Sequence, residues 1–82
     1  MNINTELDRP GSQMSVKEGR MLTLLARGFN TKQIAEAIGI STHYVYYLSR
    51  LLKVRFSVDT HAAVVSRAIA EGIISAGGDL MS

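Results

Sequence analysis

Asn30-Thr31-Lys32-Gln33-Ile34-Ala35-Glu36-Ala37-Ile38-Gly39-Ile40-Ser41-Thr42-His43-Tyr44-Val45 contains two helix starts and one helix stop, and its reading decides the fold. Asn30 is a favoured N-cap, and Gln33 three residues on completes a capping box. Ile34, Ala35 and Ile38 then share one face of a short helix. Gly39 stops it, and Ser41 is a second cap. Ile40 precedes that cap and Val45 occupies the fourth position of the next helix. This is the hydrophobic-staple pair, which fixes the angle at which a chain enters a helix. Two helices joined by a three-residue turn containing Gly read as a helix-turn-helix.

Downstream, Val45, Leu48, Leu52 and Phe56 recur at spacings of three and four, so the third helix buries one stripe. Tyr46, Tyr47, Arg50 and Lys53 fall mainly on its other side. Asp59 or Thr60 caps a fourth helix that runs to about Glu71 and is stopped by Gly72. Its residues Ala62, Ala63, Val64, Val65, Ala68, Ile69 and Ala70 are apolar nearly all round, so two sides need cover. One side can meet the other helices, and the other is expected to meet a second copy of the chain. Upstream, Ser15 and Glu18 form a capping box for a first helix with Met21, Leu22, Leu24 and Leu25 inside, ended by Gly28. Gly19 within it costs about 1 kcal/mol relative to Ala. The expected fold class is all-α, with four helices over residues 14–74. Residues 1–13, with Pro10-Gly11, read as a flexible N-terminal arm, and residues 75–82, with Gly77-Gly78, as a frayed C-terminal tail.

The 82 residues suit one domain, marginal enough in core to benefit from a partner subunit. The net charge of +2 is unevenly placed. Over residues 14–74, eight basic side chains (Lys17, Arg20, Arg27, Lys32, Arg50, Lys53, Arg55, Arg67) face four acidic ones (Glu18, Glu36, Asp59, Glu71), a net +4, while each end carries −1. A basic body suits a polyanion, although many basic domains are simply soluble. With no cysteine there are no disulfides and no thiolate metal sites. The polar start and the lack of a membrane-length apolar run place the chain in the cytoplasm. His43 and His61 are too isolated for a metal site, and no nucleophile triad, carboxylate pair or phosphate loop is present. An enzyme is not expected, nor a cofactor.

Met14-Ser15-Val16-Lys17-Glu18, then Leu22-Thr23-Leu24-Leu25-Ala26-Arg27-Gly28, resembles the opening of the LuxR/GerE-type DNA-binding domain, which reads L-T-x-R-E and V-L-x-L-L-A-x-G. The likeness continues through Asn30-Thr31-Lys32-Gln33-Ile34-Ala35 (S-N-K-E-I-A in the family). It runs on through Ile40-Ser41 and Val45 to Ala63-Val64, Ala68 and Gly72-Ile73-Ile74, without a gap over about 60 residues. The resemblance implies a four-helix domain whose third helix reads the major groove and whose fourth dimerises. It places Lys32 near phosphate and Ser41 and Thr42 at the DNA backbone. Tyr46, Tyr47 and Arg50 then face the groove, with Lys53 as a further phosphate anchor. His43, near the same helix start, can touch DNA or simply be solvated. Ala62, Val65 and Ile69 are the expected dimer contacts, with Arg67 at the rim.

The departures from the pattern are Tyr46 for Lys, Ser49 for Leu, Ser57-Val58 for Gly-Val and His61 for Arg. Tyr44 covers the core edge. Tyr46 and Tyr47 either pack on thymine methyls and bond phosphates, or form an aromatic cluster beside an arginine suited to protein binding. Three functions follow. The first is a stand-alone regulator that binds duplex DNA as a homodimer. The second is an anti-activator or co-regulator that pairs with a larger regulator. The third, and weakest, is a module that touches promoter DNA together with RNA polymerase.

Overall fold

The computed structural model describes residues 14–81, so the arm expected over residues 1–13 lies outside them. The fold is all-helical: α1 (Val16–Ala26), α2 (Thr31–Ile38), α3 (Thr42–Phe56) and α4 (His61–Ala70). Among the described residues the only extended pairing is one antiparallel bridge, Ile74 to Leu80. No helix among them is long and apolar enough to cross a membrane.

Each helix starts where a side-chain oxygen can take an orphan backbone N–H. The Ser15 hydroxyl accepts from Glu18 N at 3.1 Å while Glu18 accepts from Ser15 N at 2.9 Å. Asn30 and Gln33 make the same reciprocal pair, both at 2.9 Å. Ser41 accepts from Tyr44 N at 3.0 Å, and Thr60, not Asp59, caps α4 by accepting from Ala63 N at 3.1 Å. These bonds offset the four unpaired donors at a helix start, typically by about 1 kcal/mol each.

α3 packs against each of the other three helices, and α1 does likewise, whereas α2 and α4 lie on opposite flanks and do not touch. The core is one cluster in which α1 supplies Met21 and Leu22, and α2 supplies Ile34 and Ala35. α3 adds Val45, Leu48, Leu52 and Phe56, α4 adds Val64 and Ala68, and Ile74 closes it from beyond α4. Ile40 and Val58, in the connections, pack against it.

A charged pair lies at the edge of this apolar surround. The Glu18 carboxylate, already used in the α1 cap, also accepts from Arg55 Nη2 at 3.5 Å, and both side chains are largely buried. The pair ties the start of α1 to the end of α3. Removing either member alone would leave a largely buried charge without this contact, the costly half of such an arrangement.

The C-terminal segment differs from the frayed tail expected. Ser75 N donates to Asp79 O at 2.8 Å, and Gly78 N donates to Ser75 O at 2.9 Å. Met81 N then reaches Ile73 O at 2.8 Å, which closes a small hairpin. It docks on α1: Asp79 pairs with Arg27, and Leu80 packs over Gly19, where an added Cβ would sit 3.5 Å from its Cδ1. Gly19 is thus covered by the hairpin, although a Cβ there would make only an ordinary van der Waals contact with Leu80. Gly77-Gly78 is a hairpin signal when apolar residues flank it on both sides, as Ile73-Ile74 and Leu80-Met81 do here.

Two backbone positions carry opposite expectations. Gly78 has φ +93°, and a Cβ there would meet Arg27 Cγ at 3.0 Å and the Thr23 carbonyl oxygen at 3.3 Å. Gly78→Ala should cost about 1–2 kcal/mol. Ser57, with φ 58°, holds a left-handed position without being glycine and ends α3, with Val58 N bonded to Lys53 O at 2.9 Å. Ser57→Gly should gain about 0.5–1 kcal/mol. Urea unfolding midpoints of the two variants should move in opposite directions at unchanged slope.

Candidate nucleic-acid interface

The cap at Ser41 and the apolar pair around it set how α3 is rotated. Val45, Leu48 and Leu52 are fully or almost fully buried, so the opposite side of α3 must face out. Thr42, His43, Tyr46, Tyr47 and Arg50 are all exposed, with Tyr46 at 62% and Tyr47 at 50%. Val54 continues the same outward stripe at 71% exposure. Tyr44, expected at the core edge, is 36% exposed and is not among the side chains packed against the core. Its ring stacks on that of Tyr47, with centroids 5.7 Å apart and planes 14° from parallel.

Ser41 is occupied by its capping bond, so its hydroxyl points into the first turn of α3. Lys32 lies exposed at the start of α2, and Lys53 lies half-buried on α3. The charges divide by face. Arg27, Arg55 and Arg67 sit within ion-pair reach of Asp79, Glu18 and Glu71 respectively. Among the described residues Lys32, Arg50 and Lys53 make no such pair. Lys17 and Arg20 are likewise unpaired, on α1. Uncompensated positive charge thus remains on α2 and α3, and on α1 as well, while Arg27, Arg55 and Arg67 are neutralised locally.

The expected dimer contacts are unequal. Ala62 is exposed and Ile69 is 36% exposed, but Val65 is partly buried and packs against this chain's own core.

Sequence reasoning missed a contact between α3 and α4. Ser49, buried on α3, hydrogen-bonds the Nε2 atom of His61 at the start of α4. Both residues stood out as departures in the sequence, but a spacing of twelve carries no signal that they meet. Burial lowers the His61 pKa below its ordinary value of 6.5, and the nearby Lys53 charge adds to the shift. His61 is therefore neutral in the folded site at neutral pH. No protein-family model matches the chain, and no curated protein or solved structure matches it either.

The lowered His61 pKa gives a signed pH effect. Between the folded and unfolded pKa values the unfolded chain binds the extra proton, so this contribution to stability is intact above about pH 6.5 and is lost as pH falls toward the folded value. His61→Asn removes the titrating group. Wild type should lose more stability than His61→Asn between about pH 7.5 and pH 5.5 when urea midpoints are compared. Parallel losses in the two proteins would show that His61 contributes nothing to the acid limb.

Proposed function

We propose that the chain is a transcriptional regulator that binds duplex DNA, of the LuxR/GerE helix-turn-helix type, and that it acts as a homodimer through α4. The observation that carries this reading is the outward face of α3. Its width suits the major groove, it sits behind a short capped turn, and it joins Arg50 to two exposed tyrosines beside uncompensated basic residues. The free N–H groups at the start of α3 favour a phosphate, and Lys32, Thr42 and Lys53 flank the same side. His43, on the first turn, is within the same approach. The gapless likeness over residues 14–74 supports the family assignment, and the four helices found there are the number that family implies. Two departures from the family pattern, Ser49 and His61, hydrogen-bond each other and so compensate locally.

The dimer proposal rests on Ala62 and Ile69, which remain exposed on an α4 whose other side is used by the core. Val65 contributes at most its outer edge, and Arg67, paired with Glu71, borders the patch.

A second reading draws on the Tyr44–Tyr47 stack and the exposed Val54. Aromatic rings beside an arginine are a composition that protein partners use as anchors, and on this reading the domain is a co-regulator or anti-activator of a larger regulator or of RNA polymerase.

Duplex DNA titrated at two salt concentrations separates the two. Binding should be detectable at low salt and should weaken steeply as salt rises. Lys32→Ala should lower the salt slope by about one and weaken all sequences alike, whereas Arg50→Ala should cost about 1–3 kcal/mol and relax sequence preference. Failure to bind any duplex at low salt would transfer the argument to the protein-binding reading. Ile69→Asp should give monomers in light scattering with helicity retained. Loss of helicity would instead assign Ile69 to this chain's own core.

A further inference from the structure

We infer that α3 selects its DNA site through the 5-methyl groups of thymine, with Tyr46 and Tyr47 as the contacting surfaces and Arg50 as the one bidentate hydrogen-bond donor. This inference rests on the duplex reading above and deepens it. From Thr42 to Phe56 the helix contains no Asn, Gln, Asp or Glu. The amides that pair bidentately with adenine and the carboxylates that accept from cytosine are therefore missing from the reading element. Arg50 remains, and its fork matches the two acceptors of guanine.

Beyond the Thr42 hydroxyl and the His43 ring at its first turn, most of the outward surface is ring carbon and methyl. Tyr46 and Tyr47 are at least half exposed, and Val54 lies beyond them on the same stripe. Among the base-edge groups in the major groove, only the thymine methyl offers an apolar surface to cover them. Tyr47 is also held before binding by its stack on Tyr44 at 5.7 Å, so ordering that ring costs little on contact. Along the helix axis, Tyr46 and Tyr47 stand about 6 and 4.5 Å from Arg50 at roughly 1.5 Å per residue. The preferred site should therefore place thymines within about two base-pair steps of a guanine.

The test uses the full chain and a duplex selected by it from a random-sequence pool at about 50 mM salt. Each thymine is then replaced by deoxyuridine, which deletes the methyl and leaves the hydrogen-bonding edge unchanged. Affinity should fall about fourfold for each contacted methyl, the loss expected for one buried methyl-sized group. Tyr46→Phe and Tyr47→Phe should keep that discrimination. Tyr46→Ala and Tyr47→Ala, with helicity checked by circular dichroism, should each lose the discrimination at one thymine, and the double variant should bind the thymine and deoxyuridine duplexes equally. A selected duplex whose affinity does not change on deoxyuridine substitution would overturn the inference while leaving duplex binding intact. So would Phe variants that lose as much affinity as the Ala variants, because the hydroxyls would then be the contacts. If no duplex binds at all, the duplex reading falls and this inference falls with it.

Discussion

The rotation of α3 about its own axis is the constraint on which the rest depends. A helix of fifteen residues has no preferred face until something buries one. Here Ser41 closes the first turn and Ile40 and Val45 engage the core, so Leu48, Leu52 and Phe56 follow inward at the helical period. A turn of about 100° would exchange Val45 for Tyr46 and place a phenol hydroxyl in an apolar cavity. Burying that hydroxyl without a partner would cost about 1–3 kcal/mol, and the rotation would turn Val45 out to solvent. The same packing that makes the core therefore displays Tyr46, Tyr47 and Arg50, and neither face can change without the other.

Much of this was legible in the sequence, because caps and stripes are local. Ser15, Asn30 and Ser41 each announce a start through one oxygen and a backbone N–H three residues on, and the structure places those bonds at 2.9–3.1 Å. The α3 stripe needed only the helical period. The face of α4 left exposed was less legible. Counting apolar residues round a helix shows that two sides need cover, but not where the first cover ends. Val65 lies on that border and is taken by the core, while Ala62 and Ile69 are left outside.

What could not be read is long-range and polar. Glu18 is fully accounted for by its cap in the sequence, yet it also accepts from Arg55, 37 positions away. Ser49 and His61 each looked like an isolated departure until packing brought α3 against α4. The C-terminal hairpin was misread for a related reason. Two adjacent glycines near an end suggest fraying when the partner surface is unknown. Gly19 is part of that partner surface, since Leu80 lies over it. Each of the two features looks unfavourable alone, and together they form one contact.

The ion pairs show the same economy applied to charge. In a small basic body, self-repulsion works against compactness, and each carboxylate placed beside an arginine relieves it locally. Asp79 does this for Arg27 from the hairpin, Glu71 for Arg67 at the end of α4, and Glu18 for Arg55 beneath α1. The exposed pairs add little to stability by themselves, at most about 1 kcal/mol each. Their larger consequence is where positive charge is left over. Among the described residues Lys32 on α2 and Arg50 and Lys53 on α3 have no carboxylate within ion-pair reach, and neither do Lys17 and Arg20 on α1. An acidic side chain introduced beside Arg50 would ease repulsion within the body but would lower the positive charge on which the proposed duplex contact relies.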